Sequence, residues 1–64
     1  MMNYTTQDNL EAIRREVKLR ETVYANRVLT GRMSQKFADR QIAIMRDIEA
    51  DYADMARKED LWEA

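Results

Sequence analysis

The chain contains no cysteine, no histidine and no proline, and only one glycine, among its 64 residues. Without cysteine and histidine, neither a disulfide framework nor a structural zinc site can supplement the core of so small a chain. The scarcity of glycine and proline, together with 36% charged residues, is typical of a helical protein. A chain of this length buries only about 60% of the surface that its unfolded form exposes. We therefore expect its own core to be marginal.

Long apolar runs and the usual catalytic motifs are also missing. No run approaches the roughly 20 apolar residues that span a bilayer, and residues 1–6 lack the basic and then apolar layout of a secretory signal. The chain has no nucleophile and base pair and no glycine-rich phosphate loop. We therefore expect a cytoplasmic protein that is not an enzyme, with no catalytic residue, cofactor or membrane association.

The single glycine predicts where the chain turns. Gly31 enters a left-handed backbone conformation without steric cost, which suits the end of a helix. Ser34 follows with a hydroxyl that can cap a second helix. So short a connection favours two antiparallel helices, an αα-hairpin. The sequence thus predicts one all-α domain over residues 1–64, with helix one at about 7–29, a turn at 30–34 and helix two at about 35–62.

Helix one is predicted from its cap and from one apolar stripe. Thr5 or Thr6 offers an N-cap. The apolar positions recur at helical spacing and are Leu10, Ile13, Val17, Tyr24 and Val28. Arg20 interrupts the stripe, and we interpret it as a long stem over the apolar edge with its head in water rather than as a ligand-binding group.

Helix two carries a seam that resembles a short coiled coil. Its members, spaced by three, four or seven residues, are Phe37, Gln41, Ile44, Ile48, Met55 and Trp62. The seam is widened on one flank by Ala38, Met45, Tyr52 and Ala56. In an antiparallel hairpin this seam is expected to meet the stripe of helix one, with Val17 against Ile44 and Ile48. Trp62 is then expected beside the N-terminal lead-in.

Both helices have apolar residues beyond these stripes, which predicts self-association. The surplus residues form the expected interface and are Leu19, Val23, Ile42 and Met45. Two hairpins face to face would give a homodimeric four-helix bundle. The alternative is that these side chains are scattered exposed residues, since folded surfaces are commonly more than half apolar by area.

Charge is divided unevenly along the chain. Residues 1–42 hold eight Lys or Arg against five Asp or Glu, and residues 43–64 hold three against seven. Basic residues near the turn could follow a phosphate backbone. These candidates for nucleic-acid contact are Arg27, Arg32, Lys36 and Arg40. Acidic residues are interleaved among the basic ones, which favours a solvated face with ion pairs instead.

An acidic row is predicted on one side of helix two. Asp47, Asp51 and Asp54 are spaced by four and three residues, and carboxylates so placed can bind a divalent cation when another helix adds ligands. Metal sites in helical bundles normally add histidine, which this chain lacks. Pairing with Arg40 or Lys58 is the simpler interpretation, so no metal site is expected.

A resemblance to a known group of proteins covers about half of the chain. Residues 20–24, 28–34, 38–45 and 50–52 resemble a recurring group of small uncharacterised proteins encoded in bacterial genomes, many in prophage-like regions. Its most specific part is Gly-Arg-Met-Ser followed by Ala-Asp-Arg-x-Ile. The resemblance implies a helical hairpin of phage origin with no catalytic residues to carry over. Glu21, Thr22 and Ala25 depart from the more basic pattern of that group around Tyr24, which weakens a nucleic-acid inference.

Two functional readings remain open. The first is a non-catalytic structural or regulatory module that binds itself or another protein through a helical face. The alternative is a nucleic-acid-associated accessory protein that uses the basic residues near the turn.

Overall fold

The chain folds into two helices in a computed structural model that describes the backbone of residues 4–63 and the side chains of residues 4–61. Helix α1 spans Thr6–Leu29 and helix α2 spans Gln35–Glu63, and no strand occurs in the part of the chain so described. The all-α prediction is confirmed. The contact expected between Trp62 and the N-terminal lead-in lies outside the described side chains.

Helix α1 begins with a capping box. The Thr5 hydroxyl accepts a hydrogen bond from the Asp8 amide at 3.0 Å, and the Asp8 carboxylate accepts one from the Thr5 amide at 3.2 Å. Two backbone amides that a helix start leaves unpaired are thereby satisfied. Asp8 also places a negative charge at the positive end of the helix dipole. The cap therefore lies at the first of the two threonines that the sequence offered.

The turn is made by Gly31 and closed by Ser34. Gly31 has φ = 75°, in the left-handed region that a side chain disfavours. The amide of Arg32 donates to the carbonyl of Arg27 at 2.8 Å, which ties the turn back to α1. The Ser34 hydroxyl then accepts from the amide of Phe37 at 3.1 Å and so caps α2. A helix end and a helix start thus follow one another within a few residues.

The two helices pack antiparallel along their length. Near the open end of the hairpin, the Thr6 hydroxyl donates to the Glu59 carboxylate at 2.7 Å. Nearer the turn, Arg46 Nη2 lies 2.6 Å from Glu21 Oε2. Contacts between residues so far apart in sequence at both places show that α2 runs back beside α1. The predicted helical packing is therefore present.

The core between the helices is small. Only Leu10, Val17 and Ala38 are buried among the described side chains, at 3%, 5% and 4% exposure. The seam expected on α2 is shifted, because the helix contact runs over its flank, where Ala38 is buried and Met45, Tyr52 and Ala56 are half-buried, while its large central members are exposed. Their exposures are 50% for Phe37, 43% for Ile44, 37% for Ile48 and 43% for Met55.

The difference arises because α2 has two apolar stripes and α1 can cover only one of them. At about 100° of rotation per residue, Phe37 and Ala38 point to sides of the helix that differ by roughly that angle. The covered side carries Ala38, which is buried, and Ile42, Met45, Tyr52 and Ala56, which are half-buried. The stripe that includes Phe37 is left facing outward.

The hairpin is long and thin. Its extents are 49 × 19 × 18 Å and its radius of gyration is 14.8 Å. A compact domain of 64 residues would have a radius of gyration of about 11 Å. Most side chains therefore lie at a surface, and one face of each helix has no neighbour within the chain.

Candidate interaction surface

A line of large apolar side chains follows the exposed face of α2. Its members are Phe37, Ile44, Ile48 and Met55, and we call it the apolar stripe. Their spacing of seven, four and seven residues keeps them within a narrow sector of the helix. Scattered exposed apolar residues are ordinary on a folded surface, whereas a continuous line of them marks a contact surface.

Ion pairs identify the opposite side of the hairpin. Arg14 Nε lies 3.5 Å from Glu49 Oε2, and Arg46 pairs with Glu21. We call this the ion-paired side. At helical spacing the apolar stripe lies on the other side of the contact between the helices. Val23, which is half-buried, lies on the stripe side of α1 because it points almost opposite to Glu21.

Charged residues flank the apolar stripe along its outer edge. The part of α2 near the turn presents Lys36 and Arg40 there, and the middle of the helix presents Asp47 and Asp51. All four are exposed. None of them takes part in an ion pair with another described side chain. The edge of the stripe is therefore basic near the turn and acidic around the middle of the helix, and Lys58 adds a positive charge further along it.

Asp54 differs from the other two members of the acidic row because it has partners on its own helix. Arg57 Nη2 lies 2.6 Å and Lys58 Nζ lies 3.0 Å from its carboxylate oxygens. Hydrogen bonds from Arg57 and then Lys58 hold the pKa of Asp54 below its ordinary value. Within residues 4–61 no group of three or more potential ligands is placed to hold a metal ion.

Arg20 sits half-buried at the edge of the helix contact. Its Nη1 donates to the Tyr24 hydroxyl at 3.3 Å, and its Nε lies 3.5 Å from Glu16 Oε2 without a hydrogen bond to any described atom. The contact with Tyr24, followed by that with Glu16, raises the pKa of Arg20 above its ordinary value. These contacts give Arg20 a structural role on the stripe side, beside the surface rather than within it.

The structure separates the residues predicted to form a dimer interface. Leu19 is 57% exposed on α1, and Val23 is half-buried on the stripe side. Ile42 and Met45 are half-buried on the side of α2 that turns toward α1. The four do not form one continuous patch in a single hairpin. Their role in an interface stays a prediction.

Ile42 lines an open cleft near the turn, on the ion-paired side. The cleft has a volume of about 400 Å³ and is bounded by Tyr24 and Val28 of α1 and by the Glu21–Arg46 pair. Its walls offer mainly apolar surface, with polar groups at the rim. It carries no cluster of catalytic or metal-binding side chains. We interpret this cleft as a gap between the two helices and assign it no function.

The basic residues predicted for nucleic-acid contact surround the turn. Arg27 lies in the last turn of α1, Arg32 lies in the connection, and Lys36 and Arg40 lie at the start of α2. All four are exposed, and none pairs with an acidic side chain within residues 4–61. The turn end of the hairpin is therefore electropositive.

The fold defines the class of protein as an all-α helical hairpin. Comparison of the chain with known protein families, with curated proteins and with solved structures finds no match. The resemblance to bacterial and prophage proteins stays a prediction. Neither helix, over the residues described, combines the length and the apolar character that crossing a membrane requires.

Proposed function

We propose that this protein is a non-catalytic interaction module that binds another polypeptide through the apolar stripe of α2. The observation that carries the proposal is the exposure of Phe37, Ile44, Ile48 and Met55 in one line on a fully formed helix. An amphipathic helix uses such a line, at spacings of three, four and seven residues, to lie in a groove or against another helix.

The energetics support this use of the stripe. Complete burial of a fully exposed large apolar side chain contributes about 1.5–3 kcal/mol. The four side chains of the stripe are 37–50% exposed, so each can contribute a part of that value, and little conformational freedom is lost because they are already held on a helix. Two hairpins in a four-helix bundle, or one hairpin against a helix of another protein, would cover it. In either case the function is recognition rather than chemistry.

Photo-crosslinking in cells that express the protein tests the proposal. Ile48 is replaced by benzoylphenylalanine, and the matched control places the same group at Ala50, which is exposed on α2 but away from the stripe. We expect a discrete protein adduct from position 48 and none from position 50. The mass of the adduct identifies the partner. Equal labelling at the two positions, or none at position 48, would contradict the proposal.

The electropositive turn supports a second candidate function, an accessory role on nucleic acid. Arg27, Arg32, Lys36 and Arg40 lie at one end of the hairpin without acidic partners among the described residues. Basic side chains so grouped can displace counterions from a phosphate backbone. The acidic second half of α2 would then face away from the nucleic acid.

Salt dependence separates the two functions. If the turn binds phosphates, fluorescence anisotropy with mixed-sequence DNA and RNA will show binding at low salt that weakens about tenfold or more as salt rises to physiological strength. Contact through the apolar stripe would change little over the same range. An R32E/K36E variant should lose the nucleic-acid signal. Absence of any signal at low salt rules out the second candidate.

A further inference from the structure

The apolar stripe has a palindromic spacing. Its members are separated by seven, four and seven residues, so the stripe is the same in either direction along the helix. Phe37 and Met55 lie equally far from residue 46, and so do Ile44 and Ile48. A twofold axis at that position would set two such stripes antiparallel, with each side chain opposite a large apolar partner.

The charges along the outer edge of the stripe also favour an antiparallel arrangement. In an antiparallel pair of helices, an edge of one helix faces the equivalent edge of the other. Arg40 would then face Asp51 of the partner helix, whereas Lys36, ten residues before the axis, would lie level with residue 56. In a parallel pair, the outer edge of one helix would instead face the edge of the other helix that adjoins α1, so these basic and acidic residues would not meet. The charge pattern therefore favours an antiparallel second copy of α2 over a parallel one.

One ion pair follows from this geometry. Arg40 lies six residues before the midpoint and Asp51 lies five residues after it, so each falls opposite the other across the axis. Within one chain the two are about 16 Å apart along the helix and cannot pair. Asp47 lies nearest to the axis and would approach the partner's Asp47. This repulsion opposes the apolar contact near the centre of the interface.

The exposed area matches the need for a second copy. A folded monomer of 7.6 kDa is expected to expose about 4,300 Å², whereas this hairpin exposes 5435 Å². The excess is about 1,100 Å², and a stable interface of standard size buries about 800 Å² on each partner. One further hairpin on the stripe side would remove an area of this size.

Resting on the proposed function, we propose that the occupant of the apolar stripe is a second copy of this chain, bound through α2 antiparallel to α2 about a twofold axis level with residue 46. Phe37 contacts the partner's Met55, and Ile44 contacts the partner's Ile48. Glu21 pairs with Arg46 within the hairpin, so the axis passes α1 at about the level of Glu21. Val23 adds apolar surface from α1 on the same side. The assembly is a four-helix bundle of two hairpins.

The first test is the solution mass of the full chain, measured by sedimentation equilibrium over a dilution series. We expect a dimer that dissociates on dilution. Ile48→Glu should weaken association by at least tenfold, because the buried contact would gain a charge in each copy. Ala50→Glu introduces the same side chain on the same helix away from the stripe, and it should leave association unchanged. Far-ultraviolet circular dichroism verifies that each variant remains helical.

The second test is a charge exchange at exposed positions, where the hairpin itself is not at risk. Arg40→Asp and Asp51→Arg alone should each weaken association several-fold, since each creates a like-charge pair twice across the axis. The double variant R40D/D51R restores opposite charges and should return association toward that of the original chain. Because these residues cannot meet within one chain, restoration requires a second antiparallel copy.

Each outcome decides the inference. A monomer at every concentration, or an Ile48→Glu variant that associates as the original chain does, overturns the proposal that a second copy binds the apolar stripe. A dimer in which R40D/D51R does not recover overturns the antiparallel register. If the protein is a monomer while crosslinking at position 48 captures a different polypeptide, the proposed function holds and this inference fails. A monomer without any adduct at position 48 removes both.

Discussion

Replacing Leu10 by alanine is expected to lower the free energy of unfolding by about 2–5 kcal/mol, as in other cavity-forming core substitutions. Leu10 is 3% exposed and is one of three buried side chains among those described. A folded chain of this size is stabilised by only about 3–10 kcal/mol in total. Loss of one core leucine therefore removes a large part of the stability. The thermal midpoint should fall by about 10 °C or more.

Leu29→Ala is the matched control for this prediction. Leu29 is the last residue of α1 and is 84% exposed, so its truncation leaves no cavity and should change stability by about 0.5 kcal/mol or less. Urea unfolding followed by circular dichroism, at one protein concentration, measures both variants. Equal destabilisation by the two substitutions would show that Leu10 is not in the core.

Ala38→Leu is expected to destabilise the hairpin by about 1–3 kcal/mol through overpacking. Ala38 is 4% exposed and bounds the cleft near the turn together with Tyr24 and Val28. A larger side chain there would push α2 away from α1 and disturb the Glu21–Arg46 pair. Helix propensity alone predicts little change, since leucine and alanine are both strong helix formers.

Ala50→Leu provides the comparison, because Ala50 is exposed on the same helix. We expect urea unfolding to show little change for this variant. The pair of substitutions also tests which side of α2 packs against α1. If Ala38→Leu were neutral, the helix contact would not run over Ala38, and the original expectation for the seam would regain support.

The starts of both helices and the turn between them could be predicted because they depend on neighbouring residues. A threonine three residues before an aspartate makes the capping box of α1, and a serine before Phe37 caps α2. Gly31 adopts its positive φ because only glycine does so without strain. Each of these choices is made within about one helical turn, so no tertiary contact is needed to foresee it.

The candidate surface could not be placed from the sequence alone, because the pattern of α2 is ambiguous. Two apolar stripes lie about 100° apart on the helix. The stripe that includes Phe37 and Ile44 was expected to pack against α1 because its side chains are large. Both sets of apolar residues can be seen in the sequence of α2, but the sequence does not show which set packs against α1. The alternating charges gave no better guide, since exposed ion pairs contribute only about 0–1 kcal/mol each.

Local chemistry therefore determined that this chain is helical, where its helices start and where it reverses direction. Only the tertiary structure decided which face of α2 packs against α1 inside the hairpin. Ala38 is buried and its neighbours Ile42 and Met45 are half-buried on the covered side, while the Arg14–Glu49 and Glu21–Arg46 pairs close one side. Phe37, Ile44, Ile48 and Met55 are left outward as a consequence. Which stripe is covered depends on the fit between two helices, and that fit is a property of neither helix by itself.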